Sequence, residues 1–219
     1  MWKYLLVLGL SFAADPIAPH WPNTFTQTFN ETFWSPSYGK QVTNGTYYYD
    51  WTTQNTRVDR ANGRFDPMCG LNGFKILVNS PCTLYTVGGN RYIYYPDDPY
   101  CCWCCSDQTH CGSLYPTWMD NGTFLGTTTK NGVPAYWWNK EGSQPNYYYE
   151  TAATDPSKRV MLGIFEVPSD EKNFNSNIVY SVPNGIFNLP SICVPSNVCP
   201  EASICTQLRE AGNKTTSDH

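Results

Sequence analysis

The sequence has few of the charged side chains that nucleic-acid binding requires. Only 15% of its residues are charged, and 14 Lys and Arg stand against 18 Asp and Glu, for a net charge of −4. The two signs are interspersed along the chain, so no basic patch forms. Because a nucleic-acid surface needs clustered basic side chains, we expect no nucleic-acid partner.

Catalytic motifs are also scarce. The sequence has three histidines, no Gly-x-Ser-x-Gly, no His-Glu-x-x-His and no phosphate-binding loop. A pair of acids that meets only in space could hydrolyse glycosides. The candidates for such a pair are Asp50, Asp59, Glu150 and Glu166. Acids at strand ends more often face solvent or an arginine, so we expect a binding protein, not an enzyme, with no cofactor.

The first 13 residues resemble an export signal. Lys3 precedes an apolar run that ends at Phe12, and the small residues Ser11 and Ala13 suit a signal-peptidase site. The run is shorter than the about 20 residues that span a bilayer, and no later run approaches that length. We predict a signal peptide over 1–13, one β-sandwich domain over 14–206 and a flexible polar tail over 207–219. The protein would then be secreted, or lie in the lumen of the secretory or lysosomal pathway.

Ten cysteines in an exported chain indicate disulfides, because that compartment is oxidising. They are Cys69, Cys82, Cys101, Cys102, Cys104, Cys105, Cys111, Cys193, Cys199 and Cys205. Five of them cluster in Cys-Cys-Trp-Cys-Cys and the following His110-Cys111. This cluster could bind zinc, but we favour disulfides to the distant Cys69, Cys82, Cys193 and Cys199, since neighbouring cysteines are poorly placed to bond each other. Cys205 is the candidate for an intermolecular bridge, although we favour a C-terminal segment tied down by its own three cysteines.

Four Asn-x-Ser/Thr sequons make the chain a candidate glycoprotein. They lie at Asn30, Asn44, Asn121 and Asn213. Each is predicted to be a surface site.

Tyrosine, tryptophan and threonine are abundant in short segments separated by turn residues, which favours β-strands. Gly88-Gly89-Asn90 and Asn131-Gly132 predict tight hairpins, and Phe74–Val78 is one further predicted strand. No segment shows a sustained helical period. The sequence therefore predicts an all-β, antiparallel sandwich or half-open barrel, with a disulfide-stapled loop region around the cysteine cluster.

Aromatic triplets in two predicted strands suggest a ligand-binding interior. Tyr47-Tyr48-Tyr49-Asp50 and Tyr147-Tyr148-Tyr149-Glu150 are each followed by a turn and an Arg-Val pair. Consecutive strand residues face opposite sides, so each triplet sends rings to both faces of its sheet. Ligand pockets are mostly apolar and aromatic with a few polar groups. We predict ligand contacts from Tyr48, Tyr95, Trp138 and Tyr148, with ordinary core packing as the alternative.

Several short motifs resemble the ependymin-related family. They are Gly45 to Asp50, Arg57-Val58-Asp59, Pro116-Thr117-Trp118, Gly122 to Gly126, Trp137-Trp138, Tyr147 to Glu150 and Phe187 to Cys193. The resemblance implies a secreted glycoprotein with two stacked antiparallel sheets, similar to carriers of the LolA type. It also implies a hydrophobic pocket, calcium binding and a dimer. The doubled cysteine cluster departs from the family pattern, and no acidic loop has the regular spacing of a calcium site.

Three functions from different classes remain open at this point. The first is a carrier of a hydrophobic, lipid-like small molecule. The second is a carbohydrate-binding or cell-coat module that presents aromatic rings to a glycan, and the third is a structural matrix component that forms homo-oligomers.

Overall fold

The computed structural model describes residues 14–35, 39–63, 66–70, 80–109, 111–142, 145–201 and 203–215. The predicted signal peptide, the predicted strand Phe74–Val78 and His110 lie outside the described residues. The strands are β1 Thr24–Ser35, β2 Gly39–Asp50, β3 Asn55–Arg60, β4 Cys82–Val87, β5 Asn90–Tyr95, β6 Tyr100–Ser106, β7 Thr123–Lys130, β8 Val133–Lys140, β9 Asn146–Thr151, β10 Met161–Glu166 and β11 Asp170–Val179. The helices are α1 Pro67–Gly70 and α2 Ile204–Thr215, with 3-10 turns at Asp107–Thr109 and Pro156–Lys158.

Within the described residues, eleven strands form one antiparallel sheet in the order β6-β5-β4-β3-β2-β1-β11-β10-β9-β8-β7. Strands β1 to β6 thus form one half of the sheet. Strands β7 to β11 form the other half, in which β11 pairs with the free side of β1. Residues of β3–β5 and of β10–β11 line one common cavity, so the sheet curves around it. The predicted all-β, half-open architecture is confirmed, and its two halves are joined in one continuous sheet through the pairing of β1 with β11.

Alternation along β1 shows which face is the interior. Phe25, Gln27, Phe29 and Glu31 are buried, whereas Thr28 and Asn30 between them are exposed. We call the face of the sheet that carries these buried residues the inner face, and the opposite one the outer face. Since β-strand side chains alternate, the pairing of each strand with its neighbour assigns its other residues to a face.

The cysteine cluster forms an edge strand, which corrects the prediction of a loop region there. Cys-Cys-Trp-Cys-Cys lies in β6 and pairs with β5 through an irregular register near Tyr92. All ten cysteines form disulfides, as predicted. The pairs are Cys69–Cys82, Cys101–Cys193, Cys102–Cys199, Cys104–Cys205 and Cys105–Cys111.

Three of these bridges fasten the C-terminal segment to β6, so Cys205 is bonded within the chain. Cys69 and Cys82, which we expected to bond the cluster, bond each other instead. The four cysteines of Cys-Cys-Trp-Cys-Cys do reach four different partners, but Cys105 bonds Cys111 of the same cluster and not a distant cysteine. The strand conformation of β6 explains why its cysteines have different partners, because successive side chains of a strand point in opposite directions.

The C-terminal segment continues as helix α2, a feature that the sequence did not predict. Ile204 and Leu208 of α2 pack against the core, and the Arg209 guanidinium donates a hydrogen bond to the Cys104 carbonyl at 2.6 Å. The first part of the segment predicted as a flexible tail is therefore helical. Within the described ranges, no helix has the length and apolar character needed to cross a bilayer.

Candidate functional site

A cavity of about 510 Å³ lies against the inner face of the sheet. Strands β1 to β5 form one side of it, β10 and β11 form the other, and α1, α2 and residues 112–114 close its ends. This volume falls within the roughly 300–1,000 Å³ of ordinary ligand pockets. We call it the central cavity.

Apolar side chains form most of its wall. They are Trp21, Phe33, Tyr47, Val58, Met68, Leu84, Leu114, Ile164, Val167, Pro168, Phe174, Ile204 and Leu208. Tyr47 and Phe174 meet edge to face, with ring centroids 6.4 Å apart and an interplanar angle of 81°. The cavity is therefore lined by strands from both halves of the sheet, and its wall suits a hydrocarbon chain.

A buried ion-pair network forms the polar part of the wall. Arg60 donates to both Glu31 oxygens, at 2.5 and 3.0 Å, and lies 3.1 Å from Asp66. Burial alone would raise the pKa of Glu31, but Arg60 and Lys172 hold it well below its ordinary value. Glu31 is therefore an anion in the interior.

Lys172 connects this network to the end of β10. Its ammonium lies 3.0 Å from Glu31, 2.5 Å from Asp170 and 3.5 Å from Glu166. Burial and the neighbouring acids raise the pKa of Asp170 to about 7, although Lys172 opposes the shift. The network thus includes one carboxyl that titrates near neutral pH.

Three of these acids lie close enough together to coordinate a cation. Oxygens of Glu31, Asp66 and Asp170 all fall within 4.8 Å of one another. Arg60 and Lys172 already pair with all three carboxylates, although Asp170 Oδ1 is buried without a hydrogen-bond partner among the described residues. The geometry is that of an ion-pair network, and calcium remains an implication of the family resemblance alone.

The predicted ligand residue Tyr48 lies on the outer face. The two triplets differ in phase: Tyr47 and Tyr49 point inward in β2, whereas in β9 it is Tyr148 that points inward. Tyr48 instead packs beneath the Arg57 guanidinium, 5.9 Å from its ring centroid. Tyr47 is the member of that triplet that lines the central cavity.

The other three predicted ligand residues are buried. Tyr148 accepts a hydrogen bond at 3.1 Å from the Trp21 indole, and Trp138 packs on Phe124 with centroids 5.0 Å apart. The Tyr95 hydroxyl donates to the Cys69 carbonyl. The described residues that line the central cavity include none of the four predicted ones. Their ligand role stays a prediction.

The four acids considered for catalysis each have their own interaction partners. Asp50 accepts hydrogen bonds in the turn after β2, and Asp59 pairs with Arg57 at 2.8 Å. Glu150 pairs with buried Arg159 at 3.0 Å. Burial raises the pKa of Glu150 to about 7, although Arg159 opposes the shift.

Two of the predicted glycosylation sites lie side by side on the outer face. Asn30 and Asn44 are exposed and directly paired between β1 and β2. They lie in an open, asparagine-rich cleft of about 710 Å³ on that face. Asn121 is exposed in a turn before β7, and the side chain of Asn213 lies outside the described ones. The three visible sequons are thus accessible to modification.

The described structure is similar to several solved structures of low sequence identity. A lipoprotein-sorting protein domain from Vibrio parahaemolyticus has a TM-score of 0.38 and 8% identity, over 76% of this chain and 89% of that one. A LolA superfamily protein from Nitrosomonas europaea has a TM-score of 0.36 and 7% identity, over 77% and 91%. The Pseudomonas aeruginosa MucA/MucB complex has a TM-score of 0.40 and 10% identity, over 78% of this chain and 57% of the matched one.

No family model and no curated protein sequence matches the chain. The ependymin resemblance therefore rests on its short motifs alone. At these TM-scores the structural similarities do not bear on function, so the central cavity must be interpreted from its own chemistry.

Proposed function

We propose that this protein is a secreted glycoprotein that binds or carries a hydrophobic, lipid-like ligand in the central cavity. The observation that carries the proposal is the cavity itself: about 510 Å³, enclosed by two halves of one sheet and lined mainly by apolar side chains. A sheet interior that served only for stability would be filled at close-packed density. An apolar cavity of this size is a binding site by default.

Five disulfides support the secreted part of the proposal, since disulfides persist in oxidising compartments. They also give the cavity a rigid frame, because α2, which covers part of it, is bonded to β6 through Cys205. A frame that is already ordered loses less entropy when a ligand binds.

A cavity-filling variant tests the proposal. Leu84 is buried and lines the central cavity, so Leu84→Trp should place an indole in the ligand volume. Val42 is 60% exposed on the outer face of β2, so Val42→Trp is the matched control. N-phenyl-1-naphthylamine, a neutral fluorescent probe, should bind wild type and Val42→Trp alike and bind Leu84→Trp at least about tenfold more weakly. Equal binding by all three proteins would refute the cavity as the site.

A second candidate, carbohydrate binding, is favoured by one observation on the outer face. Trp137 stacks on Tyr149 and Tyr147 stacks on Phe165, with interplanar angles of 2° and 12°, and all four side chains are partly exposed. Exposed aromatic rings suit contact with sugar rings. Retention on a glycan array that is lost in Tyr147→Ala and kept in Leu84→Trp would establish this function in place of the carrier.

A further inference from the structure

Arg91 is a cation in the wall of the central cavity with no carboxylate partner. It is the second residue of β5, points to the inner face and lies beside Thr86, Gly112 and Tyr47. Its guanidinium donates two hydrogen bonds of 3.3 Å, to the Thr86 hydroxyl and the Gly112 carbonyl, both neutral. None of the described Asp and Glu residues, which are all of those in the chain except Asp218, forms an ion pair with it.

The other two cations in the wall differ from Arg91 in this respect. Arg60 lies between Glu31 and Asp66, and Lys172 contacts Glu31, Asp170 and Glu166. Their charges are therefore already balanced by the protein. Glu166 also acts electrostatically on Arg91, but its closest cation is Lys172, at 3.5 Å.

A partly buried guanidinium without an anion is unfavourable. Burial lowers the pKa of Arg91, which is the direction expected when a cation loses water without gaining a carboxylate. An anion that entered the cavity would restore the missing partner, and a guanidinium binds planar carboxylates and phosphates through paired hydrogen bonds. Leu84 and Ile164 are among the apolar side chains that line the rest of the cavity, and this apolar wall would accept a hydrocarbon chain.

We propose that the ligand of the central cavity is an amphiphile with one anionic head group, a carboxylate or a phosphate, which Arg91 binds while the apolar wall holds the chain. This inference rests on the carrier function proposed above. It assigns the head-group end of the cavity to the region of Arg91, Tyr47 and Gly112.

Competition between matched ligands tests the assignment. Bound N-phenyl-1-naphthylamine is displaced by oleate, by 1-oleoyl-lysophosphatidate or by oleyl alcohol at about pH 8, where both acids are ionised. The proteins are wild type, Arg91→Met, Arg91→Gln and a control, Arg57→Met. Arg57 is on the outer face and paired with Asp59, so its removal leaves the cavity unchanged.

Wild type and Arg57→Met should bind at least one of the two acids about tenfold or more tightly than the alcohol. Both Arg91 variants should lose the preference for an acid over the alcohol. Their affinity for the alcohol should stay within about twofold of the wild-type value. Oleate alone as the preferred ligand would identify a carboxylate, lysophosphatidate alone a phosphate, and either supports the inference.

Two results would overturn the inference and leave the carrier function standing. One is equal affinity of wild type for the acids and the alcohol, and the other is an undiminished preference in Arg91→Gln and Arg91→Met. If neither the probe nor any amphiphile binds wild type, the carrier function fails and this inference fails with it. Circular dichroism shows that each variant is folded before it is compared.

Discussion

Tyr47 and Tyr48 are consecutive residues of β2, yet Tyr47 lines the central cavity and Tyr48 packs on the outer face against Arg57. This relationship predicts opposite results for two identical substitutions. Tyr47→Ala should change the affinity for N-phenyl-1-naphthylamine, because it alters the cavity wall, whereas Tyr48→Ala should leave the affinity within about twofold of wild type. A fluorescence titration checks both, and a larger effect from Tyr48→Ala would mean that the ligand binds on the outer face.

Glu31 holds two buried cations, so neutralising it should cost far more stability than neutralising a surface acid. Glu31→Gln removes the one carboxylate that pairs with both Arg60 and Lys172 in the interior, and we expect a loss of about 3–5 kcal/mol in the free energy of unfolding. Glu171→Gln is the control, since Glu171 is 40% exposed and pairs with Lys130 at the outer face. That change should cost less than about 1 kcal/mol in urea unfolding. Similar losses in the two variants would contradict the network.

Glu150 should make the protein less stable as the pH rises towards neutrality. Its pKa in the folded protein is about 7, above its ordinary value of 4.5. The folded state therefore holds this proton more tightly than the unfolded chain does. The stabilising contribution of protonated Glu150 to the free energy of unfolding is complete below about pH 4.5 and is lost as the pH passes 7. Urea midpoints should fall between about pH 5 and pH 8, and less steeply in Glu150→Gln. Asp170, whose pKa is also about 7, acts in the same direction, so part of the slope remains. A slope of opposite sign would contradict the buried state of both carboxyls.

The disulfides should differ in what they contribute to stability. Cys69 and Cys82 are 13 residues apart, whereas Cys105 and Cys111 are only 6 apart, and no other bridge shortens either loop. In the chain-entropy account a bridge restricts the unfolded chain more when it closes a longer loop, about 3 kcal/mol for some 15 residues. Replacing both cysteines with alanine should therefore lower the melting temperature more at Cys69–Cys82 than at Cys105–Cys111. The reverse order would show that the shorter bridge holds native structure that the longer one does not.

The sequence predicted the strands well where turn chemistry separates them. Gly88-Gly89 and Asn131-Gly132 form the hairpins expected of them, and both pairs include residues at positive φ. The secondary structure of the cysteine cluster was harder to predict. A run of cysteines gives no alternation of apolar and polar side chains that would distinguish a strand from a loop. Helix α2 is fixed by the bridge at Cys205 and by packing, neither of which local sequence shows.

The site was only partly predictable for a related reason. In Tyr47-Tyr48-Tyr49 every position is aromatic, so the pattern does not tell which ring points inward, and a one-residue difference exchanges the two faces. β1 did carry a usable signal: Gln27 and Glu31 alternate with Phe25 and Phe29, which places polar groups on the inner face. Their partners, and the unpaired state of Arg91, depend on strands far apart in the sequence and could come only from the fold.

A crystal structure of the protein with a bromine-labelled hexadecanoic acid would show where the hydrocarbon chain binds. We expect an anomalous bromine peak inside the central cavity, between Leu84 and Ile164. Bromine peaks confined to the outer face, or none inside a cavity that remains open, would contradict it.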